Sequence, residues 1–482
     1  TANSYTDLAG NAGPSETTEN YAIDTLAPTV SSVAITSAPG IQNSFVNAGD
    51  NVSVTVTFSE NSTVTGTPQL TLAVGEDNHT ADYTSSGSGA TTKVFKYTIQ
   101  AGDNDTNGIS IRANALALNS GTIRDAAGNY ATNLNHIAVS DNADYMVDTT
   151  PPTVNSVAIT SATTGIQNSF VNANDVVSVA ATFSERVIVV SGTPTLTLVV
   201  GSTDRTATYA SGSWTSGSGS TPLVFLYTIR AGDNDTNGIS IRANVLALNS
   251  GTISDLAGNN ATNLNHSAVS NNSSYMVDNT VPTVKSFTNS DALLTVGETM
   301  TVDLVFSEPA LFSSADDINL DNANGLLTAM TSTDNITWTG TFTPTDDTEV
   351  ASNTLSLSSW TDLAGNNGPA ADATPNYEVD TLAPSGTFSF TDYLFQSGDT
   401  ATVTLEFSEV VVGFTTDNIT IPPIDNGPGQ GRVSGTLSTM SPNDNNTIWT
   451  GIFTPTANAE DWTNTLTLDN ASYTDIDNNT GS

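Results

Sequence analysis

The sequence predicts an all-β protein made of tandem modules, and three observations carry that prediction. Long stretches of the 482-residue chain recur within it. Alternating apolar and polar residues, rich in Val, Thr and Phe, are typical of half-buried strands. Turn residues recur roughly every 8–12 residues, and no long segment has the 3.6-residue period of an amphipathic helix. The length alone predicts about three domains, and small all-β modules would raise that number to about four or five.

Two pairs of repeats define two types of module. Residues 101–114, AGDNDTNGISIRAN, recur letter for letter at 231–244, inside longer matches that define type A. LTVGETMTVDLVFSE at 294–308 resembles LFQSGDTATVTLEFSE at 394–409, and this pair defines type B. A linker that begins with Asp and contains proline precedes each module, and proline favours a stiff, extended connection. The predicted boundaries are 25–148 (module 1, type A), 149–278 (module 2, type A), 279–380 (module 3, type B) and 381–482 (module 4, type B).

The strand pattern within a module predicts a β-sandwich. Asn51–Phe58 reads NVSVTVTF, which places three valines on one face and Ser and Thr on the other. Residues 301–306 and 401–407 repeat this alternation. About seven short strands per module, with turns at regular spacing, are typical of the immunoglobulin-like β-sandwich. We therefore expect four such sandwiches in an extended rod, each roughly 30–40 Å long from the strand rise.

The two ends of the chain do not fit the module boundaries. Module 4 ends with SYTDIDNNTGS and lacks a counterpart of the final strand of module 3, residues 376–380. Residues 1–24 include that counterpart, NYAID at 20–24, without a sandwich of their own. Two explanations stay open: the chain is an excerpt of a longer repetitive protein, or residues 1–24 of one copy complete module 4 of another by donor-strand exchange. The second would join copies head to tail into a filament.

The composition excludes several classes of partner. The chain has 10 Lys and Arg residues against 49 Asp and Glu residues, a net charge of −39, which repels nucleic acids and anionic membranes. With no cysteine, the chain has no disulfide and no thiolate metal site. No stretch approaches 18 apolar residues, so we expect no direct membrane insertion. The partners that fit this composition are cations, neighbouring repeats and copies of the chain itself.

Acidic residues recur at three positions of each module. One Asp opens the linker, a Glu ends the motif Phe-Ser-Glu after the second strand, and an Asp begins the turn D-x-A-G-N, which is degraded to DIDNN in module 4. In an immunoglobulin-like sandwich these positions meet at the pole where the linker enters, which we call the leading pole. Three unpaired carboxylates repel one another, and a set of oxygen ligands favours Ca²⁺. We therefore predict structural calcium at four sites, formed by Asp24, Glu60 and Asp125; by Asp148, Glu185 and Asp255; by Asp278, Glu308 and Asp362; and by Asp380, Glu409 and Asp475.

The Asp of D-x-A-G-N has an alternative role, in which it forms an Asx turn beside a glycine with positive φ.

The loop GDNDTNG of both type A modules is a second calcium candidate, because oxygens at positions 1, 3 and 5 followed by Gly match the first half of an EF-hand loop. This loop has Asn at position 12, where an EF-hand loop has Glu, and no helices flank it. The sequence therefore predicts a partial calcium loop or a tight turn. The residues concerned are Asp103, Asp105, Asn107, Asp233, Asp235 and Asn237.

No motif for catalysis is recognisable in the sequence. Two of the three histidines occupy equivalent positions in the type A repeats, and no metalloprotease motif, nucleophile elbow or phosphate-binding loop is present. We therefore expect a non-enzymatic protein without catalytic residues. A carbohydrate-binding adhesin module is an alternative, because Trp214 in the Ser/Gly-rich stretch 210–220 is a candidate stacking platform for surface glycans.

The succession of D-T-x-A-P, F-S-E, G-D-x-D-x-N-G and D-x-A-G-N resembles the bacterial immunoglobulin-like repeats of giant secreted adhesins and other large repetitive surface proteins. The resemblance covers essentially the whole chain. It implies an extracellular or cell-surface location and a role as a spacer, adhesin stalk or filament. It identifies no adhesion ligand.

Overall fold

The computed structural model describes residues 5–14, 16–85, 90–162, 165–212, 222–370, 372–424 and 433–482. Strands dominate these residues, and the described helices are α1 (Ser314–Asp317) and single 3-10 turns at Ala143–Tyr145, Thr416–Asn418 and Asn470–Ser472. The all-β prediction is therefore confirmed. None of the described helices has the length and apolar character needed to cross a membrane. The chain forms two compact units, one of residues 1–165, 174–229 and 235–275, the other of residues 166–173, 230–234 and 276–482.

Module 1 is built around one six-stranded antiparallel sheet. Its described strands are β1 (Val30–Ser37), β2 (Phe45–Val46), β3 (Asn51–Phe58), β4 (Thr63–Thr65), β5 (Gln69–Val74), β6 (Asp77–Ser85), β7 (Thr92–Thr98), β8 (Leu116–Ala117), β9 (Thr122–Arg124) and β10 (Met146–Val147). The sheet order is β1-β3-β7-β6-β5-β8, while β4 pairs with β9 and β2 pairs in parallel with β10. The predicted alternation holds in β3, because Val52, Val54 and Val56 are fully buried in the module core.

Module 2 has the same pattern of strand pairing. Its described strands are β11 (Val154–Ala162), β12 (Phe170–Val171), β13 (Val176–Phe183), β14 (Ile188–Ser191), β15 (Thr195–Val200), β16 (Thr203–Ser211), β17 (Leu223–Thr228), β18 (Leu246–Ala247), β19 (Thr252–Ser254) and β20 (Met276–Val277). In the first unit, the antiparallel order is β11-β13-β17-β16-β15-β18, and β14 pairs with β19. The parallel pair β12 and β20 belongs to the second unit.

Module 3 contains two larger sheets and two short strand pairs. Its described strands are β21 (Val284–Asn289), β22 (Leu293–Leu294), β23 (Met300–Phe306), β24 (Ala310–Leu311), β25 (Ile318–Asn319), β26 (Gly325–Leu327), β27 (Thr337–Pro344), β28 (Glu349–Asn353), β29 (Ser356–Leu357), β30 (Thr361–Asp362) and β31 (Tyr377–Asp380). The sheets have the orders β21-β23-β27-β26 and β22-β31-β28, and the pairs are β24 with β30 and β25 with β29. Phe306, Phe342 and Tyr377 are fully buried in the core between them.

Module 4 has a sheet equivalent to β21-β23-β27-β26 of module 3. Its described strands are β32 (Gly386–Phe390), β33 (Ala401–Phe407), β34 (Val411–Val412), β35 (Ile419–Thr420), β36 (Gly435–Leu437), β37 (Ser441–Pro442), β38 (Ile448–Pro455), β39 (Thr467–Leu468) and β40 (Thr474–Asp475). The order is β32-β33-β38-β36, β37 also pairs with β38, and the short pairs are β34 with β40 and β35 with β39. The described part of module 4 has no counterpart of the sheet β22-β31-β28.

Candidate metal centre

Each module brings three carboxylates together at its leading pole. In every case their ligand oxygens lie within 4.8 Å of one another. The Asp of the turn is buried in all four clusters, and the Glu is half-buried. The structure thus assembles all twelve residues predicted for the junctions, which we call triad 1 (Asp24, Glu60, Asp125), triad 2 (Asp148, Glu185, Asp255), triad 3 (Asp278, Glu308, Asp362) and triad 4 (Asp380, Glu409, Asp475).

Strand ends position these carboxylates. In triad 2, Glu185 lies two residues beyond the end of β13, and Asp255 directly follows β19. Asp148 directly follows β10, the final strand of the preceding module. Strands of one sandwich that run in the same direction end at the same pole, so Glu185 and Asp255 converge there although they are far apart in sequence, and the linker brings Asp148 to them.

The Asp of each turn also organises the local backbone. One oxygen of Asp125, Oδ1, accepts hydrogen bonds from the N–H groups of Gly128 and Asn129 at 2.7 and 2.8 Å. Oδ1 of Asp362 accepts hydrogen bonds from the N–H groups of Ala364 and Asn366, both at 2.8 Å. The Asx turn proposed as the alternative function of this residue is therefore present. It occupies one carboxylate oxygen and leaves the second oxygen to receive only a side-chain amide, so it is compatible with a metal ligand.

The Asn that ends each turn ties the turn to the linker, a role that the sequence analysis missed. Nδ2 of Asn259 donates to Oδ2 of Asp255 and to the backbone carbonyl of Asp148, both at 2.9 Å. The same pair of hydrogen bonds recurs at the other three triads, where the amide belongs to Asn129, Asn366 and Asn479. The signal was present in the sequence, because Asn is the last letter of every D-x-A-G-N turn and of its degraded form.

The Ser of Phe-Ser-Glu fixes the other side of the linker. Oγ of Ser184 accepts a hydrogen bond from the N–H of Thr153 at 3.0 Å, and the N–H of Ser184 donates to the carbonyl of Thr153 at 2.8 Å. Ser59, Ser307 and Ser408 make the equivalent pair of bonds with Thr29, Thr283 and Ser385. Each linker is therefore held close to the triad glutamate by one backbone hydrogen bond and one hydrogen bond to the serine hydroxyl.

Burial, and then the crowding of the carboxylates, raises the pKa of the triad glutamates. Burial, followed by the charges of Asp148 and Asp255, raises the pKa of Glu185 to about 7. Burial and then the charges of Asp475 and Asp380 raise the pKa of Glu409 to about 7. The pKa values of Glu60 and Glu308 are raised for the same reasons, burial first and the neighbouring aspartates second.

Three aspartates of the triads show how burial and hydrogen bonding compete. Burial raises the pKa of Asp380 to about 6, assisted by the charge of Asp475. Burial also raises the pKa of Asp255, although the hydrogen bonds from Asn259 oppose it. At the more exposed triad 1, burial again acts upward on Asp125, but the hydrogen bonds from Asn129 and Gly128 outweigh it and lower the pKa. Each triad therefore concentrates negative charge that a cation would neutralise.

The preceding module also binds the linker through hydrogen bonds. Oγ1 of Thr149 donates to the carbonyl of Asp103 at 3.0 Å and accepts from the N–H of Gly102 at 2.9 Å. In module 3, Oγ1 of Thr381 donates to the carbonyl of Thr345 at 2.8 Å. These linker residues directly follow a triad aspartate, so one short segment is bound by both modules that it connects.

Side-chain amides of the preceding module reach the turn itself. In the first unit, Nδ2 of Asn43 donates to the carbonyl of Leu256 at 3.0 Å, and Nδ2 of Asn47 donates to the carbonyl of Ala257 at 2.8 Å. In the second unit, Asn168 and Asn172 make the same bonds to Leu363 and Ala364 at 3.0 and 2.8 Å. The turn that carries a triad aspartate is therefore also a docking point between neighbouring modules.

The GDNDTNG loop uses its carboxylates for its own fold. Asp105 accepts from the N–H of Gly108 at 2.8 Å through Oδ1 and from the N–H of Gly75 at 2.7 Å through Oδ2. Asp103 accepts from the hydroxyl of Tyr97 at 2.6 Å and from the N–H of Gln100 at 2.8 Å. Asp235 repeats the Asp105 bonds with Gly238 and Gly201 in module 2. The side chain of Asn107 donates to Asp141. Calcium at Asp103, Asp105, Asn107, Asp233, Asp235 and Asn237 stays a prediction, and these bonds account for the two loop carboxylates of module 1 as a tight turn.

The tryptophan proposed as a sugar platform, Trp214, lies outside the described residues, so glycan binding through it stays a prediction. Of the other tryptophans, Trp360 is buried against Phe306, and Trp338 and Trp449 are half-buried against their module cores. Trp462 is exposed in module 4. The expected core placement of Trp338 and Trp449 agrees with this packing.

Comparisons with known proteins identify the type B modules. Residues 278–379 and 380–482 each match the family model described as a bacterial Ig-like domain. A comparison with curated proteins gave no match. For modules 3 and 4, these matches confirm the resemblance to bacterial Ig-like repeats that the sequence motifs indicate, and with it the fold class of tandem Ig-like β-sandwiches.

Two solved structures are similar to this chain at low sequence identity. The S-layer protein rSbsC is 12% identical with a TM-score of 0.20, over 92% of this chain and 64% of that one. The full extracellular region of plexin A4 is 8% identical with a TM-score of 0.19, over 72% of this chain and 43% of that one. The chain thus spans less than two thirds of either structure, and at these TM-scores neither likeness bears on function.

Proposed function

We propose, since this chain carries bacterial Ig-like domains in tandem, that it is a non-enzymatic extracellular structural protein whose joints are stiffened by Ca²⁺. In this role the modules form a rod that serves as a spacer, an adhesin stalk or part of a cell-surface filament. Bacterial Ig-like domains are generally non-enzymatic. The observation that carries the proposal is the recurrence of one carboxylate triad at the leading pole of all four modules.

The chemistry of the triads supports calcium as the ion. Every potential ligand atom is a carboxylate oxygen, and hard oxygen donors suit Ca²⁺. Three carboxylates supply fewer than the six to eight oxygens that Ca²⁺ takes, so backbone carbonyls and water would complete the shell. Burial, and then the charges of the neighbouring aspartates, raise the pKa of Glu185 and Glu409, and a bound cation would oppose both effects by favouring the ionised carboxylates.

The position of the triad supports a mechanical effect of the ion. Asp148 belongs to the linker, and the next residue, Thr149, is hydrogen-bonded to the loop of module 1. Glu185 and Asp255 belong to module 2. An ion shared by the three side chains would join the linker to module 2 while module 1 holds its other end, so the linker loses freedom at both ends.

The magnitude of this effect suits a regulated joint. Calcium sites of extracellular modules bind with dissociation constants of about 0.1–1 mM. At about ten times the dissociation constant, the ion contributes RT ln 11, or about 1.4 kcal/mol per site. That contribution biases a joint towards one orientation by about tenfold. The absence of cysteine agrees with stiffening by ions in place of disulfides.

Small-angle X-ray scattering of the full chain tests the proposal. We expect the chain to have a larger maximum dimension in calcium than in a chelator, or a narrower distribution of dimensions. Changing all four triad glutamates to glutamine (Glu60, Glu185, Glu308 and Glu409) should abolish the difference, because each site loses a charged ligand. The matched control replaces four exposed glutamates outside the triads, Glu16, Glu76, Glu378 and Glu406, and should respond to calcium as the unmodified chain does. Equal profiles with and without calcium in the unmodified chain would contradict the proposal.

A further inference from the structure

We propose that residues 42–47 of module 1 form a recognition surface that selects, as the next module, one whose leading-pole turn has the form D-x-A-G-N. We call these residues exit loop 1 and their repeat at 167–172 exit loop 2; both read Gln-Asn-Ser-Phe-Val-Asn. The partner is the turn of another Ig-like module, which the loop binds through side-chain amides. This recognition goes beyond stiffening by calcium, because it needs no ion at the triads.

Two amides of exit loop 1 bind two successive carbonyls of the next turn. Nδ2 of Asn43 donates to the carbonyl of Leu256 at 3.0 Å, and Nδ2 of Asn47 donates to that of Ala257 at 2.8 Å. In the second unit, exit loop 2 makes the same two bonds at 3.0 and 2.8 Å. The alanine of each bound turn, Ala257 or Ala364, is 1% exposed. The loop therefore reads the path of the turn's backbone and covers its alanine.

A glutamine of each exit loop lies against the glycine of the turn. A Cβ on Gly258 would lie 2.8 Å from Nε2 of Gln42, and a Cβ on Gly365 would lie 2.7 Å from Oε1 of Gln167. Both glycines have positive φ, at +91° and +85°. Any other residue at this position would displace the glutamine and occupy a backbone conformation that favours glycine. The glycine of D-x-A-G-N is thus part of what the loop fits.

Exit loop 1 is held in place by its own module. Gln42 and Phe45 exchange two backbone hydrogen bonds, both at 2.8 Å. The loop also contains β2, which pairs in parallel with β10, and the N–H of Asp148 donates to the carbonyl of Val46 at 3.1 Å. Because β10 leads directly into the linker, the loop and the start of the linker meet the next module together. A surface that is ordered in this way loses little conformational entropy when it binds.

Module 3 carries different side chains at the equivalent loop positions. β22 pairs with the final strand of module 3 as β2 pairs with that of module 1. On this alignment Asp291 stands at the place of Asn43, and Thr295 stands at the place of Asn47. A carboxylate cannot donate to a carbonyl, and Oδ1 of Asp291 accepts from the N–H of Leu293 within its own loop. Module 3 therefore lacks the pair of amides that defines an exit loop.

The turn that follows module 3 differs at the positions that an exit loop contacts. Module 4 has Asp477 at the place of the covered alanine and Asn478, with φ +71°, at the place of the glycine. The contact here is of another kind, because the N–H of Val296 donates to Oδ1 of Asn479 at 3.1 Å. Loop and turn thus differ together at this joint, as expected if the two surfaces are matched to each other.

Distances between spin labels on the full chain test the proposal. The chain has no cysteine, so Thr80→Cys and Thr206→Cys, at exposed and equivalent positions of modules 1 and 2, give one labelled pair. Double electron–electron resonance at pH 7 in chelator should give a narrow distance distribution. Asn43→Asp combined with Asn47→Asp places carboxylate acceptors opposite carbonyl acceptors, and should at least double the width of the distribution.

The control for these substitutions adds the same charge elsewhere in module 1. Asn119→Asp and Asn133→Asp together should leave the width unchanged, because both positions are exposed and lie outside the exit loop. Asn119 is closely matched to Asn43, since its φ of +46° compares with +50° and its Nδ2 donates to a carbonyl within module 1, that of Thr67. Broadening by this control pair equal to that of the exit-loop variant would overturn the proposal.

Ala257→Asp tests the surface of the turn. Module 4 shows that the turn accepts this residue, because Oδ1 of Asp475 still accepts from the N–H groups of Asp477 and Asn479 at 2.8 and 2.9 Å. In module 2 the carboxylate would replace an alanine that Asn47 covers, so the distribution should broaden as in the exit-loop variant. An unchanged width in either variant, with folding confirmed by calorimetry, would overturn the proposal. Since chelator is present throughout, this result is independent of calcium binding, whereas scattering that ignores calcium would contradict only the calcium-stiffened rod.

Discussion

Replacing Glu185 with glutamine is expected to stabilise the calcium-free chain at pH 8. Burial and the charges of Asp148 and Asp255 raise the pKa of Glu185 from its ordinary value of 4.5 to about 7. One pKa unit corresponds to about 1.4 kcal/mol, so keeping this group ionised at pH 8 costs up to about 3 kcal/mol, less whatever solvent screening removes at a half-buried site. Glutamine fills the same volume without the charge and should recover most of that cost.

The sign of the pH dependence follows from the raised pKa. A group whose pKa is higher in the folded state contributes stability that is fully present below pH 4.5 and is lost as the pH rises through about 7. In chelator, the unmodified module 2 should therefore lose up to about 3 kcal/mol between these pH values, and the Glu185→Gln variant should lose correspondingly less. Calcium should restore the unmodified module at pH 8 and have little effect on module 2 of the variant.

Differential scanning calorimetry of the full chain at pH 5 and pH 8 measures these effects. The transition that changes in the variant reports module 2, and a change of about 3 kcal/mol shifts it by on the order of 10 °C. Glu378→Gln, on an exposed strand position, is the control and should leave every transition unchanged. If Glu185→Gln is less stable than the unmodified chain at pH 8 in chelator, or if calcium stabilises both equally, the assignment of Glu185 to a repulsive cluster is wrong.

Further substitutions separate the roles of individual residues in the turns and loops. Asp255→Asn retains an oxygen for the Asx turn but removes one charged ligand and replaces Oδ2, the acceptor of Asn259 Nδ2, with an amide donor, so calcium bound per chain, measured by calorimetric titration, should fall by one. Asn259→Ala removes a side chain that bonds both the turn and the linker, and should destabilise the module by about 1–3 kcal/mol in denaturant titrations. Gly108→Ala should cost more than about 2 kcal/mol, because φ is +98° and a Cβ would lie 1.9 Å from the carbonyl oxygen of Asn142, whereas Gly102→Ala, at φ +101° with open space, should cost less.

Much of the fold was predictable because its signals are local. The alternation in Asn51–Phe58 fixes which face of β3 is buried, and its repetition in the other modules predicts the equivalent strands. The triads were also predictable, since the topology of the sandwich sends Glu60, two residues beyond the end of β3, and the turn residue Asp125 to the same pole. In both cases the position of a residue along a strand determines where its side chain lies.

Side-chain hydrogen bonds at the joints could not be predicted in this way. An amide such as Asn259 can donate in several directions, and only the packed structure shows that it joins Asp255 to the carbonyl of Asp148. The contacts of Asn43 with Leu256 depend on the orientation of two modules, which no sequence period encodes. The use of Asp103 by the Tyr97 hydroxyl likewise depends on a strand that the loop sequence does not reveal.

The number of calcium ions bound per chain tests the central claim most directly. Equilibrium dialysis at neutral pH and millimolar calcium should give four ions for the unmodified chain, one for each triad. The chain with glutamine at Glu60, Glu185, Glu308 and Glu409 should retain none of the four. Binding of no ion by the unmodified chain, or the same number by both chains, would contradict a role for the triads as calcium sites.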